Sequence, residues 1–439
     1  DVCSSDLKEI IKKNKDGTPI GVCSVCSSNE LVIESAMEEA LKYGSPLLVE
    51  STANQVNQFG GYTGMTPLMF REYVYKIAVK TGFPSDKVIL GGDHLGPLTW
   101  KDEDAQDAMA KAKDLVADFV HAGFTKIHLD TSMKLRDDGD GILSAEVIAE
   151  RGADLCAVAE KAFQSTEKGR QRPVYVIGSE VPIPGGAQTN EGLKVTSASD
   201  FAATVDLFKK SFLKRGLNEA WENVIAVVVQ PGVEFGSNTV HDYNPNDSAE
   251  LKRILKEYPT MVFEGHSTDY QKELSLRQMV EDGIAILKVG PALTFALRES
   301  LVALEFIEKD LLFGSNRLSN FSETLENVML SDPGNWKNHY KGSDMQKRLA
   351  RKYSYSDRCR YYLTDSKVKE SMKRLINNLD SIEIPMPLIS QYLPSQYWKI
   401  RNGQMRNQPI ELVKGNIKDT LDHYYAAVTL RSNINQMHA

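Results

Sequence analysis

Short runs rich in Val, Ile and Leu alternate with longer stretches whose apolar positions recur at helical spacing, and the alternation persists to about residue 290. The short runs predict strands over 19–25, 46–51, 87–92, 126–130, 173–179, 224–230, 260–264 and 284–289. Val224-Ile225-Ala226-Val227-Val228-Val229 contains no polar residue. A strand buried on both faces, as in a parallel sheet covered by helices, requires that pattern. Helices are predicted between the strands, among them 29–43, 104–122 and 199–215. Asn29, Asp104 and Ser199 are the expected N-caps, because short polar side chains accept from the first unpaired backbone N–H groups. Eight strands alternating with helices predict an α/β fold, a (β/α)8 TIM barrel. An open doubly wound sheet is the alternative, but its dinucleotide-binding form lacks support, since no GxGxxG follows the first strand.

Beyond about residue 310 the strand rhythm stops and aromatic, Arg-rich helical patterns take over, as in Tyr353-Ser354-Tyr355-Ser356-Asp357-Arg358. The expected organisation is a barrel over 1–310 and a C-terminal helical extension over 311–439. The extension is too rich in large side chains to be a linker. It is expected to pack on the barrel or on a neighbouring subunit.

Composition narrows the classes. A hydrophobic fraction of 41% and a charged fraction of 25% are globular values and exclude a fibre or a disordered chain. A net charge of −7 argues against nucleic acid as a partner, which would need a basic face. No apolar run reaches the ~18 residues of a membrane span. Five cysteines, an odd and sparse set, predict reduced thiols and a soluble, cytoplasmic protein. Cys23 and Cys26 form a CxxC, read here as small residues in a core strand.

In a barrel of this kind, chemistry collects at the carboxyl ends of the strands, and these ends are unusually polar. They carry Glu50, Asn54 and Gln58 after strand two, Asp93-His94 after strand three and Asp130 after strand four. Glu180 follows strand five, Gln230 and Glu234 strand six, and Glu264-Gly265-His266-Ser267 strand seven. A single acid at a strand end is often a helix cap. Acids, amides and imidazoles at six ends of one rim exceed what capping explains, and burying them costs several kcal/mol unless a ligand or metal satisfies them. His94 and His266 are the leading metal ligands; imidazole with carboxylate suits zinc, manganese, cobalt or nickel. Glu264 is placed with them and Glu234 is held in reserve. Glu50, Asn54, Gln58, Gln230 and Ser267 are assigned to substrate binding. His121 and His128 are read as plain helix-end and strand residues. No GxSxG, Walker A, HExxH or kinase signature is present.

Several motifs resemble the GatZ/KbaZ family, the Z-type subunit of class II tagatose-bisphosphate aldolase. They are Asn54-Gln55-Val56-Asn57-Gln58-Phe59-Gly60-Gly61-Tyr62-Thr63-Gly64, Gly91-Gly92-Asp93-His94-Leu95-Gly96-Pro97, Ser356-Asp357-Arg358 and Ser390-Gln391-Tyr392-Leu393-Pro394. The resemblance spans nearly the whole chain. It implies either a non-catalytic subunit that supports a Y-type aldolase partner, or an enzyme of the ketohexose 4-epimerase kind. Members have also been labelled tagatose 6-phosphate kinases, a name the motifs do not support. A more distant resemblance to catalytic class II aldolases implies Asp93 as acid/base, His94 as metal ligand, and Asp130 and Glu180 as further catalytic carboxylates. The chain departs from that pattern where Glu264-Gly265-His266-Ser267 replaces a His-Gly-Ala-Ser, and where Gln230 and Glu234 occupy the region of a histidine ligand. Gly290-Pro291-Ala292 replaces a phosphate-gripping segment. The expected function is metal-dependent C4 epimerisation of D-tagatose and D-fructose, or their phosphates, by retro-aldol and aldol steps. The non-catalytic subunit is the alternative, and a homo-oligomer is the expected assembly.

Overall fold

A computed structural model of the chain describes residues 6–179 and 193–430. Eight parallel strands close into a barrel: β1 Val22–Val25, β2 Leu47–Thr52, β3 Val88–Leu95, β4 Lys126–Leu129, β5 Val174–Ile177, β6 Val224–Val229, β7 Val262–Gly265 and β8 Ile284–Val289. Each strand pairs with its neighbours in chain order, and β8 closes the ring on β1, with Val22 opposite Ile286 and Val25 opposite Val289. The barrel replaces the open-sheet alternative. Helices between the strands cover its outer face.

Inward positions follow a spacing of two, and they change character from one end of the barrel to the other. Val22, Leu48, Ile89, Val174, Val262 and Ile286 form an apolar layer with Leu7, Ile10 and Ile11 of helix Leu7–Lys15, which closes the amino-terminal end. Two residues further along five of these strands come Ser24, Glu50, Gly91, Glu264 and Lys288, while β5 keeps the apolar Val176. The interior therefore passes from hydrocarbon to buried charge as it approaches the carboxyl ends.

The extension packs back on the barrel's helices. Helix Pro409–Val428 lies against helices Glu30–Lys42, Glu273–Glu281 and Pro291–Leu311. Tyr424 donates its hydroxyl to the Thr268 carbonyl at 2.6 Å, and Tyr425 to that of Ala36 at 3.2 Å. Among the described residues no helix is long and apolar enough to cross a membrane.

Local signals differ from expectation at three points. Asn29 caps its helix, accepting from Leu31 and Val32, but the helix expected from Ser199 begins at Ala198 under Ser197, whose hydroxyl accepts from Asp200 at 3.0 Å. Asp104 holds the N-cap position without a side-chain cap bond; its carboxylate pairs with Arg136 instead. The third strand, expected to end at Gly92, runs on to Leu95.

Candidate functional site

β3 pairs with β4 first through Gly92 and Ile127 and next through Leu95 and Leu129. Asp93 and His94 thus stand against His128 alone, a bulge that re-aims side chains at the rim. His94 takes φ 48°, a left-handed conformation costing a non-glycine residue about 1–3 kcal/mol. Its backbone N–H leaves the ladder and donates to His128 Nδ1 at 3.1 Å.

Three imidazoles meet the Asp93 carboxylate. One ligand atom from each of Asp93, His94, His128 and His266 lies within 4.8 Å of the other three. The far side of each ring is fixed by an oxygen. His94 Nδ1 is 2.7 Å from Asp130 Oδ2, His266 Nε2 is 2.8 Å from Glu264 Oε1, and His128 Nε2 is 2.9 Å from the Gly178 carbonyl. Carboxylates and carbonyls accept, so these nitrogens carry hydrogen and the opposite nitrogen of a neutral ring keeps its lone pair. Those opposite atoms are His94 Nε2, 3.8 Å from Asp93 Oδ1, and His128 Nδ1, 3.1 Å from the same oxygen. The third, His266 Nδ1, is buried with no hydrogen-bond partner among the described residues.

Charge underlies this arrangement. Lys126 Nζ reaches Glu50 at 2.7 and 2.9 Å and Glu264 at 2.7 Å. Lys288 Nζ touches Asp93 and lies 3.7 Å from Glu50 and 3.6 Å from Glu264. Ser24 donates to Glu50 at 2.7 Å. Gly91 makes the room: a Cβ there would stand 2.7 Å from Glu50 Cγ. Burial opposes ionisation of Asp93, but His94 and Lys288 hold it well below the usual carboxylate range. Burial and Lys288 push His266 down to about 3, so it is neutral near pH 7. Burial works against a charged His94, yet Asp93 and Asp130 raise it. Four carboxylates, those of Asp93, Asp130, Glu50 and Glu264, face two ammonium groups. The two remaining formal charges need imidazolium or a divalent cation.

The donors suit such a cation. Neutral imidazole with carboxylate is a set for zinc, manganese, cobalt or nickel. Each imidazole is backed by an oxygen acceptor, as ligating histidines are. The unpartnered His266 Nδ1 is the kind of buried atom that calls for a ligand.

The family model described as "D-tagatose-1,6-bisphosphate aldolase subunit GatZ/KbaZ-like" matches residues 7–429. The chain belongs to the GatZ/KbaZ-like family. Its fold is shared with the crystal structure of a probable tagatose 6 phosphate kinase from Sinorhizobium meliloti 1021, at 43% identity and a TM-score of 0.85, over 93% of this chain and 100% of that one. Fructose-bisphosphate aldolase (Fba) from Campylobacter jejuni matches at 14% identity and TM-score 0.44, over 85% of this chain and 92% of that one. The YdjI aldolase from Escherichia coli K12 matches at 11% and 0.40, over 84% and 100%. Likenesses this weak carry no argument.

In this GatZ/KbaZ-like chain the structure redistributes the expected site. His94 and His266 lie in the four-residue cluster with Asp93. Glu264 lies outside it, behind His266 and committed to Lys126. Glu234 is also outside, at the start of a two-stranded ribbon, Glu234–Phe235 with Val240–His241. Its carboxylate accepts from its neighbour's backbone, Phe235 N, at 2.9 Å, and burial raises its pKa. His128, read as a plain strand residue, enters the cluster; the correction follows from β4 facing the bulge. Asp130 backs His94. Glu180 falls outside the described residues.

Among the residues assigned to substrate binding, Glu50 is fully buried beneath the imidazoles. Gln58 donates to the Lys111 carbonyl at 2.9 Å, and Gln230 accepts from Gly232 and Val233 in its own loop. Asn54 is exposed and accepts from Thr99 at 3.0 Å. Ser267 takes φ 51° at the rim. Sequence reasoning missed Lys126 and Lys288. The signal was there: Lys126, His128 and Asp130 alternate on one face of an otherwise apolar strand, and Lys288 interrupts Ile286-Leu287-Lys288-Val289.

Proposed function

We propose that the chain is a metal-dependent ketohexose 4-epimerase that interconverts D-tagatose and D-fructose, or their phosphates, by breaking and remaking the C3–C4 bond. The observation that carries this reading is the convergence of three oxygen-backed imidazoles on Asp93, above two buried ammonium groups. A chain that served only as a scaffold would gain nothing from so many desolvated charges, each costing several kcal/mol to bury.

His94 and His266 would hold the ion, joined by His128 once its Nδ1 releases the His94 N–H, and the ion would supply Lewis-acid polarisation of the ketose carbonyl. Asp93 accepts the proton of the C4 hydroxyl. As the C4–O bond becomes a carbonyl, the C3–C4 electron pair passes toward the C2 oxygen, leaving an enediolate and an aldehyde. Re-addition to the opposite aldehyde face inverts C4, and Asp93 returns the proton to O4. Lys288 keeps Asp93 ionised, Asp130 keeps the His94 ring in place, and Glu180 is assigned a second proton-transfer role.

The test is an assay of the pure chain, without any partner, on D-tagatose and on D-fructose with Mn²⁺, Co²⁺, Ni²⁺ or Zn²⁺. Appearance of the C4 epimer, followed by chromatography, is the expected result. The family description as an aldolase subunit favours the second reading, a non-catalytic partner of a Y-type subunit. That reading gains if the chain alone is inert but raises the activity or stability of such a subunit.

A further inference from the structure

TIM barrels commonly seat a substrate phosphate between the ends of their seventh and eighth strands, on backbone N–H groups at a helix N-terminus. Here helix Pro291–Leu311 starts at that place, and each of its first donors has a partner. Asp269 Oδ1 accepts from Gly290 N at 3.0 Å and from Ala292 N at 2.8 Å. Pro291 has no N–H. Leu293 and Thr294 donate to the Gly290 carbonyl at 3.0 and 3.4 Å. The Thr268 hydroxyl, which follows β7, is also committed: it donates to the Lys288 carbonyl at 2.6 Å. Asp269 itself is 3% exposed.

Arg360, from the extension, is the cation whose charge acts on Asp269. Its guanidinium already donates to the Ser356 and Asp357 carbonyls at 2.5 and 3.3 Å and to the Tyr361 hydroxyl at 3.0 Å. A phosphate brought to the start of this helix would find its first N–H groups taken and would meet a carboxylate. Unpaired anions forced together in a partly desolvated site repel strongly.

We propose that Asp269 is a specificity-determining residue: it fills the anion seat between β7 and β8, so the sugar that fits is unphosphorylated at the end that reaches this seat. The inference rests on the ketohexose reading above and narrows its substrate class.

Isothermal titration with inorganic phosphate tests the seat without any turnover. Wild type is expected to show no saturable uptake, whereas Asp269→Gly, which empties the seat and frees the Gly290 and Ala292 N–H groups, is expected to bind phosphate. Asp269→Asn keeps the acceptor and should fold as wild type does. In wild type, D-tagatose should bind roughly tenfold or more tightly than D-tagatose 6-phosphate, and Asp269→Asn should narrow that ratio. Phosphate binding by wild type, or none by a folded Asp269→Gly, would overturn the proposal, and so would an unchanged ratio in Asp269→Asn. If wild type takes neither sugar, the ketohexose reading fails, and the phosphate titrations still decide the role of Asp269.

Discussion

Asp130 Oδ2 stands 2.7 Å from His94 Nδ1, while Oδ1 of the same carboxylate accepts from the Ser132 backbone at 3.1 Å and from its hydroxyl at 2.7 Å. One side of the carboxylate is anchored and the other holds the ring, so the His94 lone pair keeps one direction. Removing such an oxygen from behind a ligating histidine typically costs about 10–100-fold in metal affinity. Asp130→Ala should weaken zinc or manganese binding by that factor with the fold retained. Chelator competition on both proteins measures it, and equal affinities would take Asp130 out of the site.

Lys126 is fully buried between Glu50 and Glu264. Lys126→Met leaves two carboxylates in the barrel interior without their shared cation. Breaking one partner out of a buried ion network costs about 3–5 kcal/mol, and urea unfolding should show a loss of that size. Adding Glu50→Gln to the Lys126→Met background should return part of it, because one stranded charge is gone. A loss under 1 kcal/mol would mean that water or a rearranged Lys288 replaces the ammonium.

The barrel was legible because its eight strands are short apolar runs with helices between them, and burial on both faces leaves few readings for a run such as 224–229. Asp93, His94 and His266 were legible because polar residues at the end of an apolar strand need a reason. His128 and the two lysines were not read, and the cause is register. A bulge at Asp93–His94 cannot be seen in a linear pattern, yet it decides that β4 offers His128 to the same point. Lys126 lies at the start of its strand and Lys288 near the end of its own. Only the slant of strands in a closed barrel brings them to one level with Glu50 and Glu264. Glu234, the reserve ligand from its place after β6, starts a small ribbon there and does not join the four-residue cluster.

The extension carries a pH dependence of its own. Glu39, on helix Glu30–Lys42, and Asp422, on helix Pro409–Val428, share Lys42 at 2.6 Å each. Burial and then the neighbouring Asp422 push Glu39 up to about 7 from an ordinary 4.5. Between those values the folded chain keeps a proton that the unfolded chain has released. The resulting stabilisation is fully present below about pH 4.5 and is lost as pH rises through about 7. Asp422 is lowered below 3.8 and titrates outside this window. Glu39→Gln should therefore melt higher than wild type at pH 8 by about 2–4 °C, with a smaller difference at pH 5. An equal difference at both pH values would refute the assignment.

Asp93 receives the last test because two readings of it diverge sharply. In the epimerase reading its carboxylate exchanges a proton with the C4 hydroxyl; in the structural reading it only balances Lys288, which touches it. Asp93→Asn is nearly isosteric and keeps one oxygen for that contact, so melting should shift little. General acid–base help is worth about 10²–10⁴ in rate, and turnover should fall by that factor. The assay belongs at saturating metal, because Asp93 lies within the imidazole cluster and the amide also lowers affinity there. His128→Ala supplies the contrast: it removes a nitrogen from the cluster and should act chiefly on metal affinity, with activity partly restored by excess metal. Activity in Asp93→Asn should not return at any metal concentration. Near-normal epimerisation by Asp93→Asn would leave the carboxylate a purely electrostatic role and would move proton transfer to another group.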